Sequence, residues 1–223
     1  MKKAICLISG GLDSCVSAMM AKDQGYHLYS LSFDYGQRHK KELAQAKKIA
    51  RFLKVQKHLE LKTELGKLGG SALTDTIPVP PGIQLRKTIP VTYVPARNTI
   101  FLAYALAYAE VTESSSIFIG ATSIDYSGYP DCRPEYFRAF QQMANLATKR
   151  AIQGHSIVIE TPVIDMSKAS IIKKGIELGA PLHLTWSCYA GGDKACGCCD
   201  ACVLRLKGFK EAGIPDPIDY ENK

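Results

Sequence analysis

The sequence contains no long run of apolar residues. No window approaches the roughly 20 apolar residues that a membrane-spanning helix needs. The apolar run after Lys2 and Lys3 is interrupted at Ser9-Gly10-Gly11, which makes it too short for the apolar part of a secretion signal. We therefore expect a cytoplasmic protein without a membrane partner. The 8 cysteines then predict metal binding or thiol reactivity, because disulfides are rare in a reducing compartment.

The sequence also lacks internal repeats, low-complexity segments and stretches that mix basic with aromatic residues. The 223 residues include 28 Lys and Arg against 21 Asp and Glu, a net charge of +7. Such a charge attracts nucleic acid or small anions such as ATP. Because the basic residues are spread along the chain, we favour solvated helix faces and attraction of ATP over nucleic-acid binding. The length and the 46% hydrophobic content fit one α/β domain, with room for a small appendage.

The most informative stretch is residues 5–19. An apolar run that ends at Ile8 is typical of a strand buried on both faces, and the small and apolar residues from Cys15 onward are typical of a packed helix. Between them, Gly10 and Gly11 permit a tight turn that exposes backbone N–H groups. A turn of this kind at a helix N-terminus predicts an anion site, because the N–H groups and the helix dipole both favour negative charge.

The polar residues of this turn indicate which anion it binds. Ser9 and Ser14 add hydroxyl donors, whereas the carboxylate of Asp13 would repel a bare phosphate unless it holds Mg²⁺. No lysine follows the second glycine, which excludes the GxxxxGK[ST] phosphate loop. The Ser-Gly-Gly-x-Asp-Ser pattern resembles the pyrophosphate loop of the N-type ATP pyrophosphatases, which cleave ATP between its α and β phosphates. The alternative is an ordinary Gly-Gly turn capped by Ser or Asp.

The rest of the chain alternates between strand and helix patterns. Strands are predicted near residues 27–33, 57–61, 117–119 and 157–159, and helices near 41–53, 98–111, 134–147 and 167–179. This alternation predicts an α/β fold with a doubly wound, mostly parallel sheet, in which ligands bind at the carboxyl ends of the strands. Asn98 is the predicted N-cap of a helix without a polar face. We expect that helix to be buried within the domain or against another subunit.

Two segments rich in glycine and proline interrupt this alternation. Residues 63–96 are long enough to predict a functional loop or lid, and residues 122–133 form the loop after the fourth predicted strand. We expect residues 1–183 to form the α/β domain. Residues 184–223 are expected to form a small cysteine-rich zinc-binding segment packed on it.

Four cysteines of this tail have the spacing of a metal site. Seven residues separate Cys188 from Cys196, and two residues separate each following pair, Cys196 from Cys199 and Cys199 from Cys202. Four thiolates favour Zn²⁺, and a closed site has no open position for a substrate, which predicts a structural zinc. Cys198 is expected to be a spectator because it does not continue the two-residue spacing. Free thiols and an iron–sulfur cluster are the alternatives.

With these stretches located, the sequence resembles the 7-cyano-7-deazaguanine synthase family. The resemblance covers nearly the whole chain and rests on residues 9–14, 33–39, 94–98 and 125–133 and on the four cysteines. It implies an adenine nucleotide alpha hydrolase-like fold and an ATP-dependent ligase, usually a homodimer with a structural zinc. Such a ligase converts 7-carboxy-7-deazaguanine and ammonia to the nitrile through adenylated intermediates, on the way to queuosine or archaeosine.

Within this chemistry, individual residues have expected roles. Residues expected to be catalytic are Asp13, Ser14 and Arg97. Residues expected to bind ATP are Ile8, Ser9, Gly10, Gly11, Leu12, Asp13, Ser14, Phe33, Asp34 and Arg38. Residues expected to bind the substrate are Arg97, Tyr129, Asp131 and Arg133. The guanidinium of Arg97 could grip a phosphate or the substrate carboxylate, and a tyrosine ring could stack on the flat base.

Alternatives remain open for the roles of these residues and for the activity. Asp131 and the nearby Asp125 could be turn formers, as aspartate often is in such loops. The basic balance and the cysteines also fit a tRNA-modifying enzyme with the same ATP loop, either a thiolase or a lysidine-type ligase. Against that function, the chain has no added RNA-binding domain. A zinc-ribbon scaffold that binds nucleotide without turnover is a further possibility from another class.

Overall fold

The computed structural model describes residues 2–79, 89–124 and 128–221. The strands are β1 (Lys3–Leu7), β2 (His27–Asp34), β3 (Lys57–Lys62), β4 (Ser116–Phe118) and β5 (Val158–Glu160). The helices are α1 (Leu12–Asp23), α2 (Lys41–Leu53), α3 (Arg97–Thr112), α4 (Pro134–Ala147), α5 (Lys149–Ile152), α6 (Lys168–Glu177) and α7 (Asp200–Ala212). In this part of the chain, none of the helices has both the length and the apolar character needed to cross a membrane.

The strands form a sheet in the order β3-β2-β1-β4-β5, with every neighbouring pair parallel. Side chains of the central strand β1 alternate between the two faces. Ile5 and Leu7 pack with residues of α3 and α4, whereas Ala4 and Cys6 pack with residues of α1 and α2. Burial on both faces explains why β1 is a continuous apolar run. The predicted doubly wound parallel sheet is therefore confirmed.

The strand order reverses at β1, which pairs with β2 on one side and with β4 on the other. The connections that leave β1 and β4 diverge at this point and open a crevice beside the carboxyl ends of the strands. The loops that follow β1, β2 and β4 meet at this edge.

The C-terminal segment is held to the α/β domain through α7, which packs against α6. The Arg205 guanidinium in α7 donates to both carboxylate oxygens of Asp216, at 2.8 and 3.0 Å, and to Oγ1 of Thr185 at 2.8 Å. The charged side chains of this ion pair are only 2% and 1% exposed. Removal of one partner of such a buried pair costs about 3–5 kcal/mol. Arg205 therefore joins the beginning of the tail to its end.

Helix α3 begins differently from the sequence prediction. It starts at Arg97 with Ala96 at the N-cap position, and the side-chain amide of Asn98 donates to the carbonyl of Asp131 at 2.9 Å. The predicted N-cap role of Asn98 is therefore wrong. The carboxylate of Asp131 instead accepts a hydrogen bond from the backbone N–H of Asn98 at 3.0 Å and caps the helix from a neighbouring loop.

Only one face of α3 is buried in the single chain. Leu102 and Ala105 are fully buried, whereas Tyr104 and Val111 on the other face are 45% and 79% exposed. Burial of the whole helix within the domain therefore does not hold, because the described residues leave this face uncovered, and burial against another subunit stays a prediction.

Candidate active site

A cavity of about 340 Å³ lies at the carboxyl ends of β1, β2 and β4. Its wall includes Ser9 and Asp13 after β1, Phe33 in β2 and Gly120 after β4, and Arg97 at the start of α3 also lines it. The volume falls within the range of small-molecule sites, about 300–1,000 Å³. The cavity thus occupies the position that the topology predicts for a ligand.

The residues before α1 form the predicted strand, turn and helix start. Ser9 Oγ accepts from the N–H of Gly11 at 3.2 Å and lies 3.0 Å from Ser14 Oγ, which accepts from the N–H of Ser9 at 3.2 Å. Helix α1 begins directly at Leu12, and no side chain accepts a hydrogen bond as its N-cap. The first N–H groups of the helix therefore have no capping side chain among the described residues, and the residues that carry them, Leu12, Asp13 and Ser14, line the cavity, as an anion site requires.

Two glycines permit close packing around this turn, which we call the phosphate turn (residues 9–14). Gly10 has φ +90°, and a Cβ there would overlap with the backbone carbonyl of Glu42 in α2. A Cβ at Gly120 would overlap with the backbone of Asp13 and Ser14. Larger residues at either position would displace the phosphate turn.

The carboxylate of Asp13 is paired with a residue that the sequence analysis did not single out. Lys168 Nζ lies 2.7 Å from both carboxylate oxygens of Asp13, and the stem of this lysine packs against Gly208 of α7. Lys168 directly follows Ser167, which is the N-cap of α6 because its side chain accepts a hydrogen bond from the N–H of Ser170 at 3.2 Å. That cap places Lys168 at the start of the helix after β5. This position was the signal in the sequence that Lys168 reaches the cavity.

Arg97 lies in the cavity among tyrosine rings. Its guanidinium carbon is 6.0 Å from the centre of the Tyr129 ring, and the hydroxyl of Tyr129 is 2.8 Å from Thr92 Oγ1. Burial raises the pKa of Tyr35, and the nearby charge of Arg97 acts in the opposite direction. A fixed guanidinium beside aromatic rings suits a flat ligand that carries a carboxylate or phosphate.

Two further residues of the cavity, Glu42 and Tyr189, were not among the site residues predicted from the sequence. Glu42 is in the first turn of α2, and Tyr189 follows Cys188 in the tail. Burial raises the pKa of the Glu42 carboxyl to about 7, although the charge of Arg97 opposes this shift. A carboxyl group with such a pKa can exchange a proton near neutral pH.

Of Phe33 and Asp34, two neighbouring residues predicted to bind ATP, only Phe33 lines the cavity. Phe33 lines it and stacks on Phe101, with ring centres 4.0 Å apart and planes at 5°. Asp34 does not line it, and its carboxylate accepts a hydrogen bond from Lys40 Nζ at 2.8 Å. This pairing with Lys40 lowers the pKa of Asp34.

Arg38 lines the cavity and also anchors the loop that follows β3. Its Nε donates to the carbonyl of Asp75 at 2.8 Å, and its Nη2 donates to the carbonyl of Ile77 at 2.8 Å. The long segment predicted as a functional loop is thus tied to the cavity rim over the part that the structure describes.

Two of the predicted substrate residues lie outside the cavity. Asp131 is 5% exposed and uses its carboxylate to cap α3, and Arg133 is exposed at the N-cap position of α4. Asp125 and Tyr126 lie outside the described residues. Of the four predicted substrate residues, the structure therefore brings Arg97 and Tyr129 together in the cavity.

The sulfur atoms of Cys188, Cys196, Cys199 and Cys202 lie within 4.8 Å of one another. Tetrahedral zinc with Zn–S bonds of about 2.3 Å requires sulfur pairs at about 3.8 Å, and the Cys196 and Cys202 sulfurs are 3.9 Å apart. Backbone N–H groups donate to sulfur at 3.3 and 3.4 Å, an arrangement that favours thiolates. The group could therefore hold a metal ion, and the exposed Cys198 lies outside it.

The tail that carries these cysteines also touches the phosphate turn. The N–H of Trp186 donates to the carbonyl of Gly10 at 2.9 Å, and Lys41 Nζ of α2 lies 3.6 Å from the centre of the Trp186 ring. Trp186, Cys188 and Tyr189 all line the cavity. The segment therefore forms one wall of the candidate site.

A family model described as "Queuosine biosynthesis protein QueC" matches residues 3–213. The chain belongs to the QueC family. It is 56% identical over 220 residues to a protein of Acetivibrio thermocellus named 7-cyano-7-deazaguanine synthase, with 99% of this chain and 98% of that protein covered. A protein of Coxiella burnetii (strain RSA 331) with the same name is 57% identical over 225 residues, with both chains fully covered at 100%.

Solved structures with the same fold are more distant in sequence. A 4-thiouridine synthetase, solved as an RNA complex with bound ATP, aligns with a TM-score of 0.52 at 16% identity and covers 98% of this chain and 47% of its own. A predicted tRNA methyltransferase subunit of Methanocaldococcus jannaschii aligns with a TM-score of 0.51 at 15% identity and covers 99% and 92%. At these identities the similarity supports the fold alone.

The QueC family match spans the whole candidate site. The matched residues 3–213 include the phosphate turn, Arg97, Lys168 and the four cysteines. The family assignment and the cavity therefore concern the same part of the molecule.

Proposed function

We propose that this QueC family member is an ATP-dependent carbon–nitrogen ligase that converts 7-carboxy-7-deazaguanine and ammonia to 7-cyano-7-deazaguanine. One observation carries the proposal. The chain is similar over its full length to proteins named for this synthase activity, and one cavity contains the phosphate turn together with Arg97 and Tyr129.

The cavity has the groups that this chemistry needs. A carboxylate reacts poorly with ammonia because oxide would have to leave. Transfer of AMP to the carboxylate creates a good leaving group and releases pyrophosphate, and a second adenylation on the amide oxygen allows dehydration to the nitrile. The protein contributes positioning and neutralisation of charge.

The phosphate turn is the proposed site for the pyrophosphate part of ATP. The N–H of Ser14, the hydroxyl of Ser9 and the N–H of Gly11, which now donates to Ser9 Oγ, would donate to phosphate oxygens. Gly10 does not line the cavity and would instead shape the turn through its close packing against α2. Lys168 adds a positive charge beside them. Asp13 is the residue that would hold Mg²⁺, through the carboxylate lone pairs that the hydrogen bonds from Lys168 leave free, and a bound Mg²⁺ would neutralise phosphate oxygens.

The adenine and ribose are proposed to lie along the walls next to this turn. Ile8 and Leu12 line the cavity beside the phosphate turn, and Phe33 and Arg38 line it at the end of β2. Asp34 would contribute through its backbone, since its carboxylate is engaged with Lys40.

The deazaguanine carboxylate is proposed to bind Arg97, with the ring stacked on Tyr129. For Asp131 we propose an indirect role, because its carboxylate holds the first turn of α3 from which Arg97 projects. Contact between Arg133 and the substrate stays a prediction for a residue that is exposed beside this region.

The cysteine group is proposed to hold one structural Zn²⁺. Its four sulfurs are arranged closely enough for a closed site, which leaves no position for a substrate. We propose residues 184–223 as the zinc-binding segment and residues 1–183 as the ATP-binding domain, in a cytoplasmic enzyme. A colourless protein with one zinc per chain is expected, and a brown protein would contradict the assignment.

The outer face of α3 is proposed as a homodimer interface. Ala103, Ala107 and Val111 follow one another at helical spacing on the exposed side, next to Tyr104. Val111→Glu should shift the sedimentation coefficient from dimer to monomer, because a charge would be buried in an apolar contact. An unmodified protein that sediments as a monomer would contradict the dimer.

The activity is tested by supplying the purified protein with ATP, Mg²⁺, ammonium and 7-carboxy-7-deazaguanine. We expect AMP, pyrophosphate and, by mass spectrometry, a product with the mass of the cyano base. Asp13→Ala should abolish the product, whereas Asp23→Asn, an exposed change at the far end of α1, should not. Modification of tRNA in place of this reaction would support the tRNA-modifying alternative.

A further inference from the structure

Glu42 is an acidic residue of the cavity wall that takes no part in the proposed binding of ATP or substrate. It lies in the first turn of α2, and its backbone carbonyl packs directly against Gly10 of the phosphate turn. The carboxyl group therefore belongs to the same wall as the proposed ATP site, and the same cavity contains Arg97.

The two acidic side chains among the described cavity residues are in different states. Both carboxylate oxygens of Asp13 accept a hydrogen bond from Lys168 at 2.7 Å. Among the described residues, the carboxylate of Glu42 accepts no such bond from Arg97 or any other donor, and it is not sealed from the cavity. A carboxylate without a partner is free to accept a proton.

The groups whose charges act on Glu42 come from three other parts of the chain. They are the guanidinium of Arg97 at the start of α3, the phenol of Tyr35 after β2 and the phenol of Tyr189 in the tail. Burial raises the pKa of both phenols, so they stay neutral. The charge of Cys188 in the tail also acts on this carboxylate, and Cys188 belongs to the proposed zinc group.

The proposed reaction releases every hydrogen of ammonia as a proton. When ammonia attacks the acyl adenylate, its lone pair forms the C–N bond, the C–O bond to AMP breaks, and the electron pair leaves with AMP. The nitrogen loses one proton in this step. It loses the other two when the amide oxygen is adenylated and AMP leaves with formation of the C≡N bond. A proton acceptor is therefore needed beside the reacting carbon.

We infer that Glu42 is a catalytic residue whose carboxylate accepts the protons that the nitrogen loses as ammonia becomes the nitrile. This role rests on the proposed function. The carboxylate passes each proton to solvent at the cavity mouth and is ready for the next one. The first adenylation needs no such acceptor, because the substrate carboxylate attacks ATP without losing a proton.

This difference between steps provides the test. ATP–pyrophosphate isotope exchange that depends on 7-carboxy-7-deazaguanine, measured without ammonia, reports the first adenylation alone. Single-turnover formation of the amide after addition of ammonium reports the step that releases a proton. Glu42→Gln should retain exchange within about threefold and lose amide formation by about 10²–10⁴-fold, the usual range for a general base. Glu42→Asp should restore part of the rate.

The results that would overturn the role of Glu42 can be distinguished from one another. Equal loss of exchange and amide formation in Glu42→Gln, or a lower melting temperature, would assign Glu42 to binding or packing and overturn the inference. Amide formation at the normal rate would also overturn it, and a large loss in His39→Gln would then point to the imidazole on the same wall. Glu177→Gln, an exposed change in α6, should leave both reactions unchanged. Absence of exchange and product in the unmodified protein would contradict the proposed function and this role together.

Discussion

Replacement of Lys168 by methionine separates the charge of this side chain from its packing. The methionine retains most of the stem that contacts Gly208, but it leaves the carboxylate of Asp13 without the donor that now lies 2.7 Å from both oxygens. The Lys168 and Asp13 side chains are 15% and 26% exposed, so water can replace much of the lost interaction in the unliganded protein.

The expected effects on stability and on catalysis therefore differ in size. For stability we expect a loss of about 1 kcal/mol or less, which shifts the melting temperature of a domain of this size by about 4 °C at most. For catalysis we expect a loss of about 10²–10³-fold, because one preorganised charge beside the transferring phosphates is removed.

Release of pyrophosphate and differential scanning calorimetry measure the two effects. Lys174→Met, on the same helix but paired with the exposed Glu177, is the matched control and should change neither. Normal pyrophosphate release by Lys168→Met would refute the proposed contact with phosphate. A large fall in melting temperature would show that Lys168 acts through stability instead.

Three further predictions follow from the phosphate turn and the cysteines. Gly10→Ala should reduce affinity for ATP at least tenfold, because a Cβ there would overlap with the backbone of α2. Gly25 has a similar φ but open space around it, so Gly25→Ala should cost only about 1–2 kcal/mol of folding free energy for the backbone conformation. Equal effects of the two substitutions would contradict the packing argument. Cys199→Ser should lose zinc by elemental analysis and Cys198→Ser should keep it, and identical zinc contents would refute the ligand assignment. Burial raises the pKa of Cys6 and Cys15 to about 12, so both should resist alkylation in the folded protein, whereas the exposed Cys198 should react. Rapid labelling of Cys6 and Cys15 would contradict the placement of these residues in the core.

The features that the sequence predicted correctly depend on residues that are neighbours along the chain. The phosphate turn is one continuous segment, and the apolar pattern of β1 reports its burial on both faces. The spacing of the four cysteines likewise brings their sulfurs together over a short tail.

The features that the sequence did not predict depend on packing between distant segments. Lys168 is 155 residues from Asp13, and it reaches the cavity because α6 packs beside α1 and α7. Glu42 enters the site because α2 packs against Gly10. The cap of α3 comes from Asp131, 33 residues away, so the local pattern pointed to Asn98 instead. Contacts of this kind leave no periodicity in the sequence.

The path of the substrate oxygens tests whether the phosphate turn activates ATP toward the carboxylate. 7-Carboxy-7-deazaguanine labelled with ¹⁸O in both carboxylate oxygens would be converted with ATP and ammonium, and the nucleotides analysed by mass spectrometry. We predict about two AMP molecules per nitrile, each with one ¹⁸O atom, because each adenylated oxygen departs with AMP. Label in water or orthophosphate, or ADP in place of AMP, would contradict adenylation.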